Sequence, residues 1–476
     1  MTVRRFPVAG EWREGVGSFE VRSPFDGSVV AEVARPSTSD VEDAVARTAE
    51  GFARTRDLPA HVRADALAHV SARIGERAED LAVSVAREGG KPLKWARVEV
   101  ARAVSTFRWA AEEARRFGGD LLRLDTEESL GSRMGIVRRF PFGPVLAITP
   151  FNFPVNLVAH KVAPALAVGA PVVVKPATKT PLGALALAEL VGETDFPAAS
   201  ISVVPVGNEA AEKLVTERRF RTISFTGSSA VGWHLKEIAD PRTRFTLELG
   251  GNAGVIVHDD ADLDHAAARV AIGGNYQAGQ SCIAVQRVFV QDRVYDDLVA
   301  RLVKEVESLK VGDPLDEDVD VGPLIDERAL DKVATFVDEA VSSGAEVLTG
   351  GTRDDPFYRP TVLARTTPEM KVRREEIFGP VVTVEPYGTF EEALGLVNET
   401  AYGLQAGVFT RDVDRLALAH KELEVGGVIA NDSSAFRADQ MPYGGSKESG
   451  FGREGLRSAM EEMTEPRILV LSNVPL

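Results

Sequence analysis

Apolar residues recur at helical spacing, among many alanines, over Asp40–Ala53 and His61–Glu88, and Glu99–Phe117 continues the pattern before Gly118-Gly119. From Pro144 the pattern changes. Short apolar runs at Val145–Thr149, Pro171–Lys175, Ile201–Val206, Thr222–Phe225 and Phe245–Leu249 alternate with helical stretches at Val155–Val168, Leu182–Gly192, Glu209–Thr216 and Ser229–Ala239. Strands separated by helices form parallel, doubly wound sheets, covered on both faces. A second α/β segment runs from Val255 to about Ala430, with strands at Val255–Val257, Val285–Val290, Glu346–Leu348, Val381–Val384, Gly407–Phe409 and Val428–Ile429. Its helices are Asp264–Ile272, Asp296–Leu309, Glu327–Val341, Glu391–Asn398 and Val413–Leu423, and Asn431–Gly455 reads as a long glycine-rich loop. The expected class is α/β, with a doubly wound parallel sheet and a second α/β domain.

Two stretches stand outside this alternation. Residues 1 to about 35 read as a short β-rich arm. Leu121–Phe140 is polar, alternating and rich in arginine, which fits an exposed two-stranded extension: either a surface hairpin or an arm that pairs with another subunit through its free edges. The run Arg467–Leu471 is a strand able to pair with it.

A chain of 476 residues is too long for one core, so two or three domains are expected. The net charge of −16 and pI near 5.1 argue against binding to nucleic acid or to anionic membrane surfaces. No apolar h-region follows Arg4 and Arg5, so no signal peptide is expected. The most apolar window, Val155–Val174, contains Asn156, His160, Lys161 and two prolines, and reads as a buried helix and strand rather than a membrane span. The seven histidines show no metal-ligand spacing, so no metal is expected. The single cysteine suits a reducing compartment, and a cytoplasmic location is the expectation.

That cysteine, Cys282, cannot form an internal disulfide; it is either an inert small hydrophobe or a working thiol. It sits in the polar loop Gly279-Gln280-Ser281-Cys282, ahead of a strand, where a nucleophile is well placed. In a parallel sheet, ligands bind at the carboxyl ends of the strands. Here those ends are Thr149-Pro150-Phe151-Asn152, Lys175-Pro176-Ala177-Thr178, Pro205-Val206-Gly207, Phe225-Thr226-Gly227-Ser228 and Glu248-Leu249-Gly250-Gly251. Gly227-Ser228-Ser229 opens a helix whose free N–H groups suit a pyrophosphate. Lys175 is either a cation for a ribose or phosphate or a solvated strand end. A literal G-x-G-x-x-G at Gly450, Gly452 and Gly455 does not follow a strand within a strand–helix–strand unit, and is not read as a dinucleotide loop.

Phe151-Asn152-Phe153-Pro154, Lys175-Pro176, Phe225-Thr226-Gly227-Ser228, Glu248-Leu249-Gly250-Gly251-Asn252, Gly279-Gln280-Ser281-Cys282 and Glu376-Ile377-Phe378-Gly379-Pro380 occur in this order. As an ordered set covering nearly the whole chain, they resemble the aldehyde dehydrogenase superfamily of the hydrolytic, NAD(P)-dependent type. The resemblance implies three units: a cofactor-binding domain of residues 1–118 and 141–249, a catalytic domain of residues 250–462, and an oligomerisation arm of residues 119–140 and 463–476, in a homodimer or homotetramer. It implies Cys282 as nucleophile, Asn152 as oxyanion donor and Glu248 as general base. It further implies a cofactor held by Thr149, Pro150, Phe151, Lys175, Thr178, Gly207, Gly227, Ser228, Leu249, Glu376 and Phe378.

Thr178 stands where NAD-preferring members often carry a glutamate, and Lys179 follows it, so NADP or both cofactors are expected. The substrate tunnel is expected to include His160, Tyr276, Ser281 and Ile283, with Arg437 as a cation for a carboxylate or phosphate and Arg102 either a second such cation or a helix-surface charge. Phe436-Arg437-Ala438-Asp439 and Met441-Pro442-Tyr443-Gly444-Gly445 resemble the branch acting on lactaldehyde and on glyceraldehyde 3-phosphate without phosphorylation. Ser281, where phosphate-handling members often place arginine, counts against a strongly phosphate-specific site. A small polar or anionic aldehyde is the expected substrate. The alternatives are a CoA-acylating member, against which Glu248 argues, a non-catalytic binding or structural member, and a cofactor-independent thiol esterase.

Overall fold

In the computed structural model, which describes residues 2–473, the apolar runs of the first α/β segment become neighbours in one sheet. Its strand order is Gly450–Phe451, Arg244–Glu248, Thr222–Thr226, Val145–Ile148, Val172–Lys175, Ile201–Val203. All pairings are parallel except that of the edge strand Gly450–Phe451, which runs antiparallel to Leu247 and Glu248. The chain begins this sheet at its centre, with Val145–Ile148, builds outward through Val172–Lys175 and Ile201–Val203, and then returns to the other side of the first strand. That reversal opens a crevice at the carboxyl ends of Val145–Ile148 and Thr222–Thr226, where open α/β sheets bind ligands.

The second sheet is ordered Glu346–Thr349, Thr361–Ala364, Val381–Tyr387, Val285–Gln291, Ala253–Val257, Gln405–Phe409, Gly427–Ala430, with only the edge strand Glu346–Thr349 antiparallel. Leu249–Asn252 carries the chain from the end of one sheet into the next. The polar extension and the C-terminal run meet as expected. Arg133–Pro141 lies between Gly119–Arg123 and Thr464–Ser472, with Val137 opposite Ile468. Met1 and residues 474–476, included in the expected first domain and arm, lie outside the described residues.

Several elements differ from expectation. The stretch His61–Glu88 is two helices, Ala60–Glu76 and Ala78–Gly89, because Arg77 leaves helical geometry at φ −105° and ψ 17°. The helix expected over Glu99–Phe117 starts earlier, at Leu93, directly after Pro92, which suits a helix start. The strand Thr361–Ala364 lies buried inside the second sheet although Pro360 precedes it and the run is short. The glycine-rich loop also contains the strand Gly450–Phe451. Its glycines serve close packing: a Cβ on Gly450 would stand 2.2 Å from the Leu247 carbonyl oxygen, and one on Gly455 2.1 Å from that of Met441. This accounts for the G-x-G-x-x-G spacing without a cofactor.

Candidate active site

The helix Leu263–Asn275 runs out into a turn in which Gln277, Ala278 and Gly279 all take left-handed φ values, 55°, 54° and 68°. Such angles are strained for the two non-glycine residues and persist only when their surroundings hold them. Gly279 has no room for a side chain, since a Cβ would meet the Gly379 carbonyl oxygen at 2.1 Å. Gln280 clamps the loop: its amide donates to the carbonyls of Gln277 and Pro323 at 3.2 and 3.3 Å, and its oxygen accepts from the Ile325 N–H at 2.9 Å. Cys282 follows at the amino end of Val285–Gln291, half-buried, its sulfur 3.1 Å from the Tyr443 hydroxyl. Burial pushes its thiol up to about 12; the Tyr443 hydrogen bond and Arg437 pull it down, while Glu376 and Glu248 push it up further. The resting group is therefore a thiol, with groups at hand that favour its thiolate.

Two carboxyl-end residues of the first sheet converge on this loop. Asn152 donates from Nδ2 to the Gln280 carbonyl at 3.0 Å, and the Gln277 amide donates to the Asn152 carbonyl. Its loop is anchored by the buried Glu99, which accepts from the N–H groups of Val155 and Asn156 at 2.9 and 3.1 Å and pairs with buried Lys91. Glu248 ends the strand Arg244–Glu248 with both carboxylate oxygens buried and without a hydrogen-bond partner among the described residues. Burial and the neighbouring Glu454 push it well above the usual carboxylate range, against the pull of Arg437, Lys161 and Arg453. Burial works against ionised Glu454 as well, but Lys161 at 2.7 Å and Arg437 at 3.1 Å outweigh it and hold that carboxyl at about 2. The two buried carboxyls are thus shifted in opposite directions, and Glu248 is the one left without hydrogen-bond partners among the described residues.

The expected substrate residues also gather here. The Tyr276 hydroxyl donates to Ser281 Oγ at 2.6 Å, so the hydroxyl of this buried serine is engaged. Ile283 packs with Leu404, Tyr443 and the cysteine. His160 is buried with Nε2 3.1 Å from Asp439, and burial with nearby Arg437 lowers it to about 4, so its ring is neutral. The two arginines are not free cations. Arg102 reaches Asp439 with two nitrogens, at 3.1 and 2.9 Å. Arg437 is tied to Glu454 and lies 3.6 Å from the centre of the Tyr443 ring, because a buried guanidinium needs an anion beside it. Its Nε is buried without a partner among the described residues.

The crevice of the first sheet fits a dinucleotide. Lys175, at the end of its strand, is largely buried, and no carboxylate lies within ion-pair distance of it among the described residues; burial lowers its pKa. Gly227 and Ser228 lead into the helix Ser229–Ile238, and no side chain caps its first N–H groups. Gly207 stands likewise at the start of Asn208–Val215. Leu249 is buried, its N–H donating to the Ser449 carbonyl at 3.0 Å. The buried Thr149 is tied to the Lys175 carbonyl at 3.1 Å, with Pro150 and Phe151 following. Phe151 meets Phe378 edge-on at 6.0 Å. Glu376 accepts from the Gly251 N–H at 2.9 Å and is raised by burial to about 7. Thr178 is exposed. Lys179, expected to add a free positive charge, is instead paired with Asp326.

Residues 12–469 match the model of the aldehyde dehydrogenase family. The chain is 42% identical to a 3-sulfolactaldehyde dehydrogenase of Priestia aryabhattai, over 98% of this chain and 97% of that one. Among solved structures it resembles aldehyde dehydrogenase 21 of Physcomitrella patens in complex with the reaction product succinate, at a TM-score of 0.97 and 42% identity over 99% of both chains. It also resembles the NADP-dependent glyceraldehyde-3-phosphate dehydrogenase of Bacillus halodurans C-125 complexed with NADP, at a TM-score of 0.95 and 36% identity over 99% of both chains.

Proposed function

The chain belongs to the aldehyde dehydrogenase family and is an NAD(P)-dependent oxidoreductase, and we propose that it oxidises a small polar or anionic aldehyde to the carboxylic acid through Cys282. Once its proton has passed to solvent, the Cys282 sulfur attacks the carbonyl carbon to give a thiohemiacetal. The Asn152 side-chain amide and the Cys282 backbone N–H stabilise the developing alkoxide. When bound, NAD(P)+ supplies the hydride acceptor that turns the thiohemiacetal into a thioester. Glu248 then takes a proton from the water that hydrolyses the thioester; its raised affinity for protons and its unused oxygens suit that step. Lys175 would hold the adenosine ribose and Glu376 the nicotinamide ribose, with the free N–H groups after Gly227 and Ser228 facing the pyrophosphate.

What supports a charged or polar substrate is the Nε of Arg437, a donor left without a partner among the described residues beside the Glu454 pair, on the ring of Tyr443, whose hydroxyl touches the nucleophile. The relatives agree with it: one is named for a sulfonated aldehyde and one holds succinate as product. Thr178, which places no carboxylate against a 2′-phosphate, supports NADP as well as NAD. A homodimer or homotetramer is supported by the three-stranded sheet, which exposes Leu121, Leu122, Ile468, Leu469 and Val470. The division into residues 1–118 with 141–249, 250–462, and 119–140 with 463–476 follows the separate sheets, though Gly450–Phe451 reaches back to the first. A cytoplasmic location fits the lone free cysteine. No helix among the described residues is long and apolar enough to cross a membrane.

The test is absorbance at the NAD(P)H band with a panel of small aldehydes, neutral and anionic, and either cofactor. Turnover favouring carboxylate- or sulfonate-bearing aldehydes is expected. Turnover of neutral aliphatic aldehydes alone would remove the substrate class.

A further inference from the structure

The Lys179–Asp326 pair joins two parts of the molecule that the chain keeps far apart. Lys179 lies on the loop that leaves the carboxyl end of Val172–Lys175. That strand neighbours the first strand of the sheet, and the end of the second strand of a dinucleotide-binding unit is where the adenosine 2′ position is read. Asp326 is the N-cap of the helix Glu327–Ser342, accepting from the Ala329 N–H at 2.8 Å. The residue before it, Ile325, is the one bonded to Gln280 in the cysteine loop. Further along the same helix, Lys332 donates to the Glu376 carbonyl at 2.7 Å. The ion pair therefore links the strand-end loop of the crevice to the helix beside Glu376. Thr178 is exposed and lacks a charge; of the two cations at this strand end, Lys175 has no ion-pair partner among the described residues, while Lys179 already carries a carboxylate.

We propose that Asp326 is a specificity-determining residue: it competes with the 2′-phosphate of the cofactor for Lys179 and so narrows the preference between phosphorylated and unphosphorylated dinucleotide. The proposal rests on the cofactor site described above. Both side chains are partly exposed, 46% and 34%, so the competition is of the size of a surface ion pair.

Asp326→Asn keeps the N-cap, since asparagine caps as well as aspartate, and removes only the charge. Lys179→Gln removes the cation and controls for Arg328, which also acts on Asp326. Lys175→Met tests the site itself. Dissociation constants for NADP+ and NAD+ are measured by calorimetry on the full-length protein, without turnover. Asp326→Asn is expected to tighten NADP+ about two- to fivefold and to leave NAD+ unchanged, while Lys179→Gln weakens NADP+ only. Equal effects on both cofactors, or none, with Lys175→Met still weakening both, would overturn the role of Asp326 and keep the site. If Lys175→Met also left both constants unchanged, the cofactor site would fall, and the proposal with it.

Discussion

The hydroxyl of Tyr443 stands 3.1 Å from the sulfur of Cys282, although the two residues are far apart in sequence. Among the described residues Tyr443 is the one side-chain hydrogen-bond partner of a thiol that burial otherwise holds protonated, and its ring carries Arg437 on one face. A hydrogen bond to a charged acceptor is worth about 1.5–3 kcal/mol. Tyr443→Phe should therefore lower the acylation rate about ten- to a hundredfold. It should also move the pH profile of Cys282 alkylation to higher pH. An unchanged profile would show that the hydroxyl does not stabilise the thiolate.

The free enzyme should show thiol reactivity that keeps rising with pH. Burial raises the Cys282 thiol from an ordinary value of 9.0 to about 12, so the thiolate is scarce at neutral pH and grows as pH rises. The iodoacetamide alkylation rate should climb steadily between about pH 7 and pH 10, where an unperturbed thiol passes its midpoint at 9.0 and begins to level off. A plateau at neutral pH would mean that the site ionises the thiol without substrate or cofactor.

Glu454 ties acid stability to the site. Its carboxyl ordinarily titrates at 4.5 but is held at about 2, so its stabilisation is fully present above pH 4.5 and is lost as pH falls towards about 2. Glu454→Gln leaves Lys161 and Arg437 without their anion and should cost about 3–5 kcal/mol near neutral pH. Urea unfolding midpoints measured down to about pH 3 should fall more steeply for the unmodified protein than for the variant. Parallel slopes would contradict the pairing.

Arg102 offers a milder probe of the pocket because it is partly exposed and shares Asp439 with His160. Arg102→Gln should reduce kcat/KM about tenfold for an aldehyde bearing a carboxylate, and little for a neutral aldehyde of equal length. Equal losses for both would show that Arg102 serves packing alone.

The places of Asn152 and Glu248 at strand ends, and of Cys282 in a polar loop ahead of a strand, were legible from the apolar runs that mark the strands; the roles expected of them came from the resemblance of the ordered motifs. Tyr443 and Glu454 were not. Both come from residues 431–455, where glycines permit tight backbone contacts and leave no apolar period to read. The edge strand Gly450–Phe451 was hidden for the same reason. The break at Arg77 was missed because alanine-rich helical spacing continues unbroken through it. The partners of Arg437, Arg102 and Lys179 are set by which loops the two sheets bring together. Asp439 lies 337 residues from Arg102 and Asp326 lies 147 from Lys179, separations at which local spacing carries no signal. Those pairings turned expected substrate and cofactor cations into internal ion pairs.

In the proposed reaction the substrate is carried on Cys282 and released by Glu248. Glu248→Gln should accumulate the acyl-enzyme when mixed with NADP+ and an anionic aldehyde such as succinate semialdehyde. Mass spectrometry of the quenched, digested protein reads it directly. The expected result is an acyl mass on the peptide containing Cys282, absent from Cys282→Ala, with one equivalent of NADPH formed in a burst. An unmodified Cys282 peptide, or a steady-state rate in Glu248→Gln equal to that of the unmodified enzyme, would contradict it.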